Sequence, residues 1–299
     1  MTPAQEPRQS KAERTAQARE KARLIREQQL KKEKRNKLLL IWGVVVAAVL
    51  VVGIVVWSIM ATNAANAPIP NQGATPANAN VHGGAVLTKD GVLAQPGSQV
   101  DAASIPTPTA VPSQGAVAAA PSVAAEAGKP VKVVAYVDFI CPVCKNFEST
   151  YGSLLDQHVK DGSITVEYRP IGLLDAHSTT NYSSRAAAAA ACVLNVSPEK
   201  YQDYFKALYA QQPDENGPGL TNDKLSSIAK DVGAKDISQC VNDKTFRPFV
   251  LAVTKEAASV GVNGTPTVFV DGKQYGAGAD AQTDFPTLLN NALAAKAKK

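Results

Sequence analysis

Val131-Lys132-Val133-Val134-Ala135-Tyr136-Val137-Asp138-Phe139-Ile140-Cys141-Pro142-Val143-Cys144 is the stretch whose reading decides the fold. Its opening, VKVVAYVD, is a nearly continuous apolar run rich in β-branched residues, the pattern of a strand buried on both faces. Beyond Cys144 the period changes, and Phe147, Tyr151, Leu154, Leu155 and Val159 recur at helical spacing. The order strand, turn, helix predicts Cys141 at a helix N-terminus, where unpaired backbone N–H groups and the macrodipole favour a thiolate. A thiolate there attacks a disulfide, and Cys144, one turn along, is placed to resolve the mixed disulfide. Two cysteines at this spacing also suit zinc, which needs two further ligands. No second CxxC and no paired-histidine element follows, so redox chemistry is the expectation.

Working outward toward the N-terminus, residues 1–37 carry twelve Lys/Arg and five Asp/Glu, a net of +7, against +5 for the whole chain. The basicity is therefore local, which removes most of the support for a nucleic-acid partner. A helix of this composition also suits RNA or anionic lipid, and a solvated cytoplasmic tail is the plainer reading. Residues 38–60 carry no charge. As a helix they reach about 34 Å, enough for a bilayer core. Trp42 and Trp57 lie near the two ends of that run, as interfacial indoles do. Lys31, Lys32, Lys34, Arg35 and Lys37 crowd its N-terminal side, which places the N-terminus in the cytoplasm and the rest outside. A cleaved signal peptide, with Ala65-Asn66-Ala67 as its site, is the alternative; the long apolar run and extended basic region favour an uncleaved anchor.

Residues 61–127 are rich in Ala, Pro, Asn, Ser, Thr and Gly and poor in large apolar groups, so a mostly flexible extracytoplasmic spacer is expected. One island interrupts it over residues 85–95. Ala85-Val86-Leu87 and Val92-Leu93-Ala94 flank Lys89-Asp90-Gly91, a hairpin turn that either packs on the domain or is a chance fluctuation in a linker.

Residues 128–297 read as one globular domain. Ile164 to Arg169 is a second strand, followed by helices over about residues 173–258. These comprise an Ala-rich helix from Ser183 to Val193, one opened by Ser197-Pro198-Glu199, one carrying Leu225, Ile228 and Val232, and one carrying Phe246, Phe249, Val250 and Val253. Thr267 to Val270 is a strand, Asp271-Gly272 a turn and Gln274 to Gly276 its partner strand. Asp284-Phe285-Pro286 opens a last helix. The fold class is α/β.

This order, with CxxC after the first core strand and Thr-Pro before the later hairpin, resembles a thioredoxin fold with an inserted helical subdomain. It is similar to the DsbA family of thiol–disulfide oxidoreductases, particularly its membrane-tethered Gram-positive members. The residues that carry the resemblance are Tyr136 to Cys144 and Gly261-Val262-Asn263-Gly264-Thr265-Pro266-Thr267, supported by Ser197 to Tyr201. It implies Cys141 as the exposed nucleophile and Cys144 as the buried resolving thiol. Pro266 would be a cis-proline facing the disulfide, with the Thr265 backbone pairing to an extended substrate peptide. A proline tolerates the cis bond at low cost and leaves neighbouring backbone groups free. By the same resemblance Asp138 exchanges protons with the resolving cysteine; a capping carboxylate without redox role is the alternative. Val143 stands where some members carry a thiolate-stabilising histidine, which implies a less stabilised reduced form here.

Cys192 and Cys240 fall on or beside apolar helical stretches, and in an exported, oxidising setting a structural disulfide between them is predicted. Two free buried thiols or a shuttle pair are the alternatives. The histidines do not build a metal site or triad: His82 lies in the spacer, His158 on the stripe of Tyr151 and Leu154, and His177 in a loop. A Cys141–His177 hydrolase would leave Cys144 without purpose. Gly217-Pro218-Gly219 lacks the strand and the Gly-Lys-Ser/Thr ending of a phosphate loop. The expected function is a membrane-anchored enzyme that introduces disulfides into exported proteins, without cofactor, recycled by a quinone-linked membrane partner. A reductase or isomerase, and a non-catalytic thioredoxin-fold binding module, are the alternatives.

Overall fold

The structure, a computed structural model, describes residues 11–106, 123–278 and 282–297. The first ten residues of the expected tail and residues 107–122 of the expected spacer lie outside the described residues. The chain divides into two units, Met1–Ala64 and Ala65–Lys299. In the first, helix α1 (Lys11–Ala65) carries the basic segment and the apolar run without a break. That run is long and apolar enough to cross a membrane, and its side chains are exposed, as the length and composition of a membrane anchor require.

The second unit begins with four short strands, β1 (Gln72–Ala74), β2 (Ala85–Thr88), β3 (Gly91–Val92) and β4 (Gln99–Asp101). They correct the reading as spacer over residues 72–101. β1 and β4 pair antiparallel, and the β2–β3 hairpin adds to the edge of the central sheet. Small residues allow this packing: an added Cβ on Gly73 would fall 2.7 Å from Pro248, and one on Gly83, at φ +76°, would fall 2.2 Å from Val253. Asn side chains supply the rest. Asn78 donates to the Leu194 carbonyl (3.0 Å) and Asn80 to Glu167 (2.7 Å). His82, expected in a spacer, meets Glu256 at 2.7 Å.

The domain core follows: β5 (Val131–Val137), α2 (Pro142–Lys160), β6 (Ile164–Pro170), then α3 (Tyr182–Val196), α4 (Tyr201–Ala210), α5 (Asn222–Asp231), α6 (Ser238–Asn242) and α7 (Arg247–Ser259), and finally β7 (Thr267–Val270), β8 (Lys273–Gln274) and α8 (Phe285–Ala297). The sheet order is β3-β2-β6-β5-β7-β8, with β5 and β6 parallel and the other pairs antiparallel. β5 is central and almost wholly buried, which is why its sequence is apolar at consecutive positions rather than alternating. One aromatic cluster joins α2 to α8, with Phe147 and Tyr151 each about 5 Å from the Phe285 ring. A second joins the loop after β5 to α4, with Phe139 5.4 Å from Phe205 and 5.2 Å from Tyr209.

Two local expectations differ. Pro198 opens a 3-10 turn ahead of α4, and the Ser197 hydroxyl caps nothing there; it accepts from the Lys235 amide at 3.0 Å instead. The last hairpin is shorter than expected, because β8 ends at Gln274 and Gly276 takes a positive φ of 72°. Cys192 in α3 and Cys240 in α6 are joined by a disulfide.

Candidate active site

Strand β5 ends at Val137, and the next four residues, Asp138 to Cys141, turn into α2. Cys141 is the N-cap of that helix, with extended backbone angles (φ −68°, ψ 117°), and Pro142 occupies the first turn, where its missing N–H costs nothing. Cys141 and Cys144 are both free thiols. The Cys141 thiol donates to the Thr265 carbonyl at 3.2 Å, and the Thr265–Pro266 bond is cis, so the loop before β7 lies against the cysteine turn. The Thr265 hydroxyl is buried without a hydrogen-bond partner of its own, and Thr265 favours the thiolate of both cysteines.

The two sulfurs are electrostatically opposed. Cys141 is lowered to about 6, chiefly by the neighbouring Cys144 thiol, with Thr265 and the amides of Cys144 and Val143 adding to it against burial. Cys144 is pushed far up by burial and by the Cys141 sulfur. The position of Val143 therefore still helps the thiolate, through its backbone N–H rather than a side chain. Cys141 differs from the exposed nucleophile implied by resemblance. It is only 4% exposed, because its sulfur tucks under the Thr265 carbonyl, while Val143 beside it is 60% exposed.

Asp138 is fully buried. Its Oδ1 accepts from the Ile140 amide (3.1 Å) and its Oδ2 from the Leu174 amide (2.9 Å). Burial raises it to about 6 against the pull of the Ser183 hydroxyl and those two amides. A carboxyl with that affinity takes or gives a proton near neutrality. It also bears on stability. The folded state holds the proton more tightly than the unfolded chain, so this group's contribution is fullest below the unfolded value and is lost as pH rises through about 6. The unfolding free energy of Asp138→Asn relative to the parent is expected to grow by about 2 kcal/mol from about pH 4 to about pH 7. Urea titrations at several pH values check this, and a pH-independent difference would contradict it.

Three residues that the sequence does not single out as functional stand close by. Tyr209 and Gln212, at and just beyond the end of α4, bond to carbonyls of the cysteine turn. Glu148, one turn past Cys144, accepts from Tyr168 at 3.1 Å and is pushed up to about 7 by burial. The amphipathic pattern of α4 marked Tyr209 only as a packing residue, and nothing in the sequence distinguished Gln212. His158 bonds to Ser163 at 2.9 Å, and His177 faces Glu215 at 3.8 Å.

Residues 125–290 match the family model described as thioredoxin. Over 150 residues the chain is 31% identical to the serine/threonine-protein kinase PknE of Mycobacterium tuberculosis, a match covering 47% of this chain and 26% of the kinase; the chain thus spans about a quarter of that relative. Among solved structures it is similar to the reduced disulfide bond oxidoreductase DsbG of M. tuberculosis, with 31% identity, 59% of this chain and 90% of that one covered, and a TM-score of 0.47. It is also similar to oxidised DsbA of the same organism, with 31% identity, 60% and 97% covered, and a TM-score of 0.46. Matched by the family model over more than half its length, the chain belongs to the thioredoxin family.

Proposed function

We propose that the chain is a membrane-anchored oxidase that introduces disulfides into exported proteins by exchange at Cys141 and Cys144. What carries the reading is the opposed pair of sulfurs, one held as thiolate near neutrality and one held as thiol. A substrate thiolate attacks Cys141 in the Cys141–Cys144 disulfide, and Cys144 leaves with the bonding electrons and takes a proton. A second substrate thiolate then attacks the substrate sulfur of the mixed disulfide and expels Cys141 as a stable thiolate. The substrate leaves with one disulfide, and two electrons remain on the reduced cysteine pair. Asp138 is the proton donor to Cys144, and the Thr265 backbone beside Pro266 pairs with the substrate peptide. The positive charge preceding the apolar run supports an orientation with the N-terminus in the cytoplasm and the catalytic domain outside. The reduced pair is reoxidised by a quinone-linked membrane partner.

That the match also extends to part of a kinase leaves a second reading, a thioredoxin-fold binding module whose cysteines are static. The reduction potential of the Cys141–Cys144 pair in glutathione buffers separates the readings. A stabilised thiolate favours the reduced form, so a potential of roughly −120 to −180 mV is expected. A value of about −270 mV would point to a reductase or isomerase. A pair that does not exchange would leave the binding module.

A further inference from the structure

The backbone between β5 and α2 must hold Cys141 in a conformation that neither strand nor helix imposes. The structure shows where its carbonyls go. Val137 O accepts from the Ile171 amide at 2.9 Å. Asp138 O accepts from the Cys141 amide (3.1 Å) and from the Tyr209 hydroxyl (3.2 Å). Phe139 O accepts from Gln212 Nε2 at 3.0 Å. Cys141 O accepts the first hydrogen bond of α2, from the Lys145 amide at 3.2 Å, and also a bond from Gln212 Nε2 at 2.9 Å. One side-chain amide therefore spends its donors on the carbonyls two residues before the nucleophile and on the nucleophile itself. Gln212 is fixed in turn, since its own amide donates to Tyr209 O at 3.2 Å. The ring of Tyr209 packs on Phe139 and Phe205, so both donors ride on a rigid end of α4.

We propose that Gln212, with Tyr209, is a positioning residue for the exchange reaction: the end of α4 clamps the cysteine turn and keeps the Cys141 sulfur beside the Val143 and Cys144 amides and the Thr265 loop. This rests on the reading of Cys141 as the nucleophile. The physical reason is twofold. The Phe139 side chain and backbone are buried, and a buried carbonyl without a donor is costly, so the turn without Gln212 rotates to find another partner. Hydrogen bonds to a thiolate are directional, and a turn that rotates at Cys141 moves the sulfur off the amides that stabilise it. The groups that face Cys141 or reach it electrostatically are Cys144 on α2, Thr265 before β7, and Asp138 and Tyr209 on either side of the turn; none of them replaces the lost donors.

The test is the pH profile of Cys141 alkylation by iodoacetamide, measured on the full chain in detergent micelles for the parent, Gln212→Ala, Gln212→Glu and Tyr209→Phe. Tyr209→Phe keeps the shape of the side chain and loses its donor without adding charge, so a packing role would leave its profile unchanged, whereas Gln212→Glu also adds a charge that raises the inflection. The clamp predicts an inflection raised by about one unit in Gln212→Ala, by more in Gln212→Glu, and by less in Tyr209→Phe. It also predicts a glutathione equilibrium shifted about tenfold toward the disulfide in Gln212→Ala, which is roughly 30 mV. Profiles for Gln212→Ala and Tyr209→Phe that overlay the parent's would overturn the clamp while leaving the proposed function standing. A parent inflection at the value of an ordinary thiol would overturn the nucleophile assignment itself. Circular dichroism and the intact Cys192–Cys240 disulfide report folding, and a variant that fails to fold is replaced by Gln212→His, which keeps a donor and is expected to fall between parent and Gln212→Ala.

Discussion

Cys141→Ser is expected to lower thiol–disulfide exchange by at least about a thousandfold, whereas Cys144→Ser keeps the first step and accumulates a mixed disulfide. The asymmetry follows from the two thiols. With Cys141 lowered to about 6, roughly nine-tenths of it is thiolate at pH 7, ready to attack. Cys144, buried and beside that sulfur, stays a thiol at any pH the fold meets, and cannot replace it. In Cys144→Ser the Cys141 thiolate still attacks a disulfide-bearing peptide, but nothing within the molecule expels the captured sulfur. Incubation with an oxidised peptide, followed by mass spectrometry without reductant, reads both outcomes. A Cys141→Ser protein that retains a tenth of the parent's rate, or a Cys144→Ser protein that captures no peptide, would count against the assignment. Because Cys141 is nearly covered, capture should also depend on peptide contacts with the exposed Val143 at the rim.

The parts of this site that a sequence can carry are those in which one residue type does one job at a fixed spacing. Cys141 and Cys144 one turn apart, an apolar run before them, and Thr265-Pro266 before a short strand are of that kind, as is the uncharged run over residues 38–60. The strands over residues 72–101 are not. They hold to the domain by close approach of Gly73 to Pro248 and Gly83 to Val253 and by Asn78 and Asn80, a composition that elsewhere means a linker. Large apolar residues are the sequence signal of burial, and this segment packs largely without them. Gln212 was invisible for a different reason. Its role comes from the end of α4 reaching carbonyls some seventy residues earlier in the chain, and carbonyls have no letter in a sequence. Val143 has no side-chain donor, and what its position lends the thiolate comes from a backbone N–H that any residue but proline would supply.

Replacing both Cys192 and Cys240 by Ala is expected to cost roughly 4 kcal/mol of stability at 25 °C, the largest stability change predicted for this chain. The two residues are 48 apart in sequence, and cross-linking that span removes a large share of the unfolded chain's freedom. The native side of the balance points the same way. α6 has only five residues, too few to hold a helix by its own hydrogen bonds, and Val241 is its sole buried side chain. The disulfide fixes that turn to α3, where the buried alanines from Ala186 to Ala191 just before Cys192 offer no bulky side chain to do the same work. Loss of the bridge should therefore loosen the segment around α6 first, seen as faster amide exchange there. The Cys141 inflection should stay in place, because the contacts that set it come from α2, the end of α4 and the Thr265 loop rather than from α6. Denaturant unfolding of parent and variant, both with Cys141 and Cys144 oxidised, gives the energy. A cost under about 1 kcal/mol would mean that the unfolded chain is already compact over this span, and that the bridge does not act through chain entropy. A shift in the Cys141 inflection would mean instead that the strain of losing α6 passes along α3 to the turn that carries the nucleophile.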